Sequence, residues 1–149
     1  MDSSDARQAL DQVTAAQVRM AESVADCPPW RHALFGGLFF ALIGSISISS
    51  AVQLATAPFI LIAAVLIMKN DRRRKGVFVN GYRRGATLPV TLLLVLVMVG
   101  LVYAAMKLRY GDYGLGAKFA LAVLAFALAT GFSVYWNRIF RLELKAGAR

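Results

Sequence analysis

The chain has a single cysteine, Cys27, and a single histidine, His32. Neither an intrachain disulfide nor a multi-Cys/His zinc site can be built from them, and no cofactor is implied. Acids are scarce too, eight against 17 Lys and Arg, and five of the eight (Asp2, Asp5, Asp11, Glu22, Asp26) stand in the first 29 residues. That acidic start does not resemble a cleavable signal peptide, which opens on basic residues. The first hydrophobic segment is expected to act as the insertion signal itself.

The largest deficit is of charge over distance. From Ala33 to Met68 no residue is formally charged, and a bilayer core about 30 Å thick is crossed by roughly 20 apolar residues in a helix. With 58% hydrophobic residues and a mean hydropathy of +0.59 over 149 residues, the chain is too apolar for a soluble domain of this length. The formal charge of +9 would suggest nucleic acid in a soluble protein, but the charges lie almost wholly outside the apolar runs.

Four spans are expected. "ISSAVQLATAP" interrupts the first uncharged run with Ser49, Ser50, Gln53 and Thr56, and Pro58 suits the first turn of a new helix, with Thr56 or a neighbour as cap. This places the first span near 33–50 and the second near 55–69, both short. They would rely on local thinning, Trp30 at the interface, or Lys69 and the arginines reaching outward. A hairpin that dips into the bilayer without crossing is the alternative. Leu88–Leu108 reads as the third span, "RYGDYGLG" as a turn, and Lys118–Trp136 as the fourth. Tyr103, Tyr110, Tyr113, Tyr135 and Trp136 fall near span ends, where amphipathic rings sit at the headgroups.

Before the spans, residues 1–29 hold Leu10, Val13, Gln17, Met20 and Val24 at alternating steps of three and four, the stripe of an amphipathic helix. Asp5 with Gln8 forms a capping pair, Ser4 competes as the cap, and "DCPPW" ends the helix. Its thin stripe rests on the bundle or membrane surface, or pairs as a short coiled coil. The fold class is therefore all-α: four transmembrane helices as two helical hairpins spanning 30–142, an N-terminal amphipathic cytoplasmic helix, and a tail at 143–149.

Lys and Arg in short loops set orientation. One side receives Arg7, Arg19, Arg31, seven bases between Lys69 and Arg84, and Arg138, Arg141, Lys145 and Arg149; the other receives Lys107, Arg109 and Lys118. The N- and C-termini are both expected in the cytoplasm.

Chemistry is argued against by what the expected spans lack: their interiors hold no Asp, Glu, Lys, Arg or His. Proton relays, ion-coupled carriers and intramembrane hydrolases need ionisable groups at depth. The small four-helix multidrug exporters depend on a membrane-embedded carboxylate, which this chain does not have. Cys27 and His32 are separated by two prolines and lack a well-placed orienting group, Asp26 being an immediate neighbour of Cys27, so they do not make a nucleophile–base pair. A juxtamembrane cysteine, inert or lipid-modified, and a histidine at the interface beside Trp30 are expected. No catalytic or metal-ligating residues are assigned.

Small residues recur every four positions at Gly37, Ala41, Ser45 and Ser49, at Gly100 and Ala104, and at Ala125, Ala129 and Ser133. Lipid offers no hydrophobic drive between helices, so such strips serve close packing. A self-association face, or a hydroxyl-lined path through an oligomer built from "SISISS", are the sharper alternatives.

The basic loop, Lys69 to Thr87, carries the candidate binding residues Arg72, Arg73, Arg74, Lys75, Phe78, Tyr82, Arg83 and Arg84. Asn80-Gly81 favours a two-residue hairpin turn; a helical extension followed by a loop competes with it. Phe78 and Tyr82 among arginines have the composition of a nucleic-acid stacking platform, yet anionic lipid is the nearer polyanion, and a polybasic segment beside a membrane gains on the order of 1 kcal/mol per base. Lipid contact and orientation come first, a cytoplasmic protein partner second, and nucleic acid last.

With its Pro29-Trp30 entry, the loop Arg73–Gly85 and the end Leu142–Leu144, the chain resembles a group of small, uncharacterised bacterial four-helix integral membrane proteins over most of its length after residue 28. The resemblance implies the fold and a bacterial plasma membrane; it implies no activity. Abundant alanine and a preference for arginine agree with a GC-rich bacterium. The expectation is a non-enzymatic accessory or regulatory protein that presents its basic loop and N-terminal helix to anionic headgroups or a partner. The alternative is a small oligomeric channel or facilitator.

Overall fold

The computed structural model describes Arg7, Gln8, Gln12, Ala15 and residues 28–75, 87–111 and 113–147. Those first four residues are helical and exposed. The rest of the expected amphipathic helix, Cys27, and the hairpin turn expected within 76–86 lie outside the described residues.

Four helices follow: α1 (Pro29–Ile48), α2 (Ser50–Lys75), α3 (Thr87–Tyr110) and α4 (Leu115–Gly147). Each contains a stretch long and apolar enough to cross a membrane: Pro29–Ile48, Ser50–Asp71, Thr87–Tyr110 and Leu115–Leu142. The described residues hold no strand.

The boundaries follow from capping. Pro28 is extended at φ −66° and ψ 144°, and Pro29 occupies the first helical position, where its missing N–H costs nothing. At the far end of α1, Ser49 alone separates two helices. Its backbone is extended (φ −165°, ψ 163°), and its N–H donates to the Ser45 carbonyl at 3.4 Å. Its Oγ accepts the Val52 N–H at 3.2 Å, so one residue closes α1 and caps α2.

This corrects the expected second span. Pro58 lies inside α2 rather than in its first turn, and α2 begins at Ser50, so neither span is short. Serine capping outcompetes the proline signal, because Pro58 forfeits one intrahelical hydrogen bond while Ser49 gives α2 a capped start. Thr56 does not cap α2. Its Oγ1 donates to the Val52 carbonyl at 2.8 Å and approaches that of Gln53 at 3.2 Å, inside the helix rather than as its cap.

Packing is unequal. α1 packs along all three other helices, most extensively α4, while α2 packs along α1 and is reached from α3 by the side chain of Arg109. The core is Ile43 and Ile46 from α1, Met98, Leu101 and Ala105 from α3, and Ala125 and Ala129 from α4. Across α1 and α4 the contacts run antiparallel: His32 meets Ser133, Gly36 meets Thr130 and Phe126, Phe40 meets Phe119, and Gly44 meets Ala122. None of the residues in the apolar window of α2 is buried.

The tight point is Gly36. A methyl group there would stand 2.1 Å from Thr130 Oγ1 and 2.9 Å from the Phe126 carbonyl oxygen, so the α1 backbone lies directly on α4. Gly37 and Gly100 have open space where a side chain would be. The closest approach on α1 is thus at Gly36, one residue from Gly37 of the expected Gly37–Ala41–Ser45–Ser49 strip, of which Ser45 is buried, and on α3 Leu101 and Ala105 are buried while Gly100 faces open space. A one-residue shift turns a position about 100° around a helix.

Gly36→Ala is expected to lower stability by about 1–3 kcal/mol despite alanine's better helix propensity, because the helices must separate. Gly37→Ala is expected to stay within about 0.5 kcal/mol of the parent or to stabilise slightly. Thermal unfolding of both variants in detergent measures the contrast.

Candidate functional site

Three polar contacts tie the helices together at one end. Arg31, in the first turn of α1, donates from Nε to Asp71 Oδ1 at 2.9 Å and Oδ2 at 2.8 Å, and from Nη2 to Oδ2 at 2.5 Å. The pair is largely shielded, with 31% of the Arg31 side chain and 11% of the Asp71 side chain accessible. Each partner sits at the unfavourable end of its own helix dipole, a cation near an N-terminus and an anion near a C-terminus. Their pairing removes both conflicts at once. Beside them, His32 Nδ1 lies 2.8 Å from Ser133 Oγ, and Thr130 Oγ1 reaches the His32 carbonyl at 3.5 Å.

His32 is therefore buried and turned into the bundle, not at the interface beside Trp30 as expected. Proximity explains the difference: α4 offers a hydroxyl at the level of the first turn of α1, so the imidazole is satisfied inside the protein. Trp30 remains exposed. The ionisable residues of the spans fall in their terminal turns, because the helices extend further than the uncharged runs.

At the opposite end Arg109, on the last turn of α3, reaches the start of α2. Its Nη1 approaches Gln53 Oε1 at 3.4 Å and its Nη2 donates to Ser50 Oγ. Lys107 stands over the Tyr103 ring at 5.6 Å and Arg109 over Tyr110 at 5.4 Å. These aromatic residues are exposed, as are Tyr113 and Tyr135.

Between the two ends an apolar groove of about 430 Å³ opens over α1 and α3. Phe35 and Phe39 line its α1 side; Thr91, Leu94, Met98 and Val102 are among the residues lining it from α3. Phe35 and Phe39 also meet edge to face, with ring centroids 5.1 Å apart.

Of the residues singled out from sequence, Ala125, Ala129 and Ser45 are buried, Ala41, Ala104, Ser49 and Ser133 half-buried. Ser45 and Ser47 donate to the carbonyls of Leu42 and Gly44 at 2.9 and 2.8 Å, so their protons are engaged within α1 itself. Arg73 is exposed on the last turn of α2. The side chains of Arg72, Arg74 and Lys75, and the whole of Phe78, Tyr82, Arg83 and Arg84, lie outside the described residues. The Arg31–Asp71 pair was not anticipated; its one sequence signal is that Asp71 is the sole acid between Asp26 and Asp112. Among the described residues no three His, Cys, Asp or Glu side chains cluster as metal ligands would.

Comparisons with protein families, curated proteins and solved structures find no match to this chain.

The Arg31–Asp71 pair should behave as one unit. Asp71→Asn and Arg31→Gln are each expected to cost about 2 kcal/mol, between the limits for exposed and buried pairs. The double variant is expected to lose clearly less than the sum. A double-mutant cycle by thermal unfolding in detergent measures the coupling.

Proposed function

We propose that the protein is a non-enzymatic, multi-pass protein of a bacterial plasma membrane, with both termini in the cytoplasm, acting as an accessory or regulatory component. Its basic loop, Arg72 to Arg84, meets the anionic headgroups of the inner leaflet, where it can also receive a cytoplasmic protein. In this reading the four helices insert as two hairpins, and the N-terminal amphipathic helix lies along the same face.

The observation that carries this reading is the sorting of charge along the bundle axis. The end that holds Arg31 and Asp71 also carries Lys69, Arg73, Arg138 and Arg141, and the loop leaves from it. At the other end stand Lys107, Arg109 and Lys118, and Arg109 is engaged with Ser50 and Gln53. An excess of cations at one membrane face is both an orientation signal and an electrostatic attraction to anionic lipid. The exposed apolar residues that cover α2 support a lipid environment, since a large bare apolar surface is unstable in water.

Two measurements test this. A periplasm-active reporter fused at Asp112 is expected to be active, and the same reporter after Gly147 silent; the reverse pattern overturns the orientation. A peptide spanning Lys69–Thr87 is expected to bind anionic vesicles in a salt-sensitive manner. Replacing Arg72, Arg73, Arg74, Arg83 and Arg84 with glutamine should weaken that binding by at least a hundredfold, from about 1 kcal/mol per base. Binding indifferent to the replacement or to salt rejects the lipid reading.

A further inference from the structure

We infer that α2 beyond Pro58 is a movable arm, hinged at the proline and latched to the bundle by the Arg31–Asp71 pair. Its two positions, latched and released, set where the basic loop leaves the bundle. The inference rests on the fold and holds whatever the loop binds.

The hinge lies within the helix. Pro58 has no N–H to offer the Leu54 carbonyl, and its ring crowds that carbonyl, so the helix is weakest between these two residues. Thr56 loosens the same turn, because a hydroxyl that bonds back to the carbonyl four residues before it, here Val52 at 2.8 Å, favours bending. Sharp bends in helices concentrate at such prolines.

The two sides of Pro58 are held differently. The short segment before it, Ser50 to Ala57, is fixed twice: by the Ser49 hydroxyl on the Val52 N–H, and by Arg109 of α3 on Ser50 and Gln53. The long segment after it, Phe59 to Lys75, runs about 25 Å. It lies along α1 through one row, Ile60, Ala63, Ile67 and Asn70, each half-buried. Lipid chains can replace the aliphatic part of that row at little loss, since they are just as apolar. Asp71 is different. It is the one buried side chain among the described residues of α2, and hydrocarbon offers nothing in place of its partner Arg31.

Bend and latch exclude each other. Asp71 stands thirteen residues past Pro58, about 20 Å along the helix, so a change of about 20° in the bend carries its carboxylate about 7 Å. Hydrogen bonds of 2.9 and 2.5 Å do not survive that displacement. Residue 76 follows directly on Lys75, so the remainder of the basic loop starts from a point that travels with the arm.

The test is double electron–electron resonance on the full chain in lipid nanodiscs, with Cys27→Ser as the background. One pair of spin labels, at Arg73→Cys and Val134→Cys, reports the arm against α4. A second, at Leu54→Cys and Leu115→Cys, reports the segment before the hinge. All four positions are exposed. The parent is expected to show one principal distance for each pair. Asp71→Asn, and separately Arg31→Gln, should add a population displaced by about 8 Å at the first pair and leave the second unchanged. Pro58→Ala combined with Asp71→Asn should return the first pair to its parental distance, which an unfolded bundle could not do. A first pair unmoved by Asp71→Asn overturns the latch. A displacement that persists with Pro58→Ala, or that appears equally at the second pair, overturns the hinge.

Discussion

The bundle depends on one close approach, the α1 backbone at Gly36 lying on Thr130 and Phe126 of α4. In lipid, helices are not driven together by exclusion of water, so their association comes from surface contact at short range and from polar groups that need each other. Only a residue without a side chain permits this distance. Once α1 and α4 are in register there, Gly44 falls opposite Ala122, Ile43 packs into the core with Ala125 and Ala129, and Ser133 is level with His32. The series of contacts from His32–Ser133 to Gly44–Ala122 aligns α1 and α4 antiparallel, with its tightest point at Gly36.

α2 is held on another principle. It buries little against its neighbours and is attached chiefly at its extremities, by Ser49 and the Arg109 contacts at one end and by Asp71 with Arg31 at the other. Such ties are directional, so they specify where the helix lies without covering its apolar surface. That surface stays available to lipid, and so does the space between α2 and α3. A span more apolar than α1 or α4 is thus the least buried of the four.

The number and type of the spans were legible in the sequence because hydrocarbon demands long uncharged runs, and such runs are conspicuous. The details were lost where two local signals competed. At Pro58 the proline suggested a helix start, but the Ser49 hydroxyl capped α2 nine residues earlier and the helix runs through the proline. Gly36 and Gly37 are adjacent and chemically identical, and only the azimuth of α1 distinguishes them. Arg31 and Asp71 are 40 residues apart, beyond any local periodicity. His32 was expected at the interface because nothing near it in sequence offers a partner; its partner is 101 residues away.

Ser49 has a consequence for how the protein can change. A connection of one residue couples two helices as a rigid crank: the angle at which α1 ends determines the angle at which α2 begins. Asp71 lies 22 residues beyond it, at the far end of that lever. Inserting or deleting one residue anywhere between them would turn the end of α2 by about 100° and carry Asp71 off Arg31. Substitutions along α2 meet mostly lipid and are tolerated as long as they stay apolar, whereas changes of length are not. Such a helix can drift freely in composition while its residue count is held fixed.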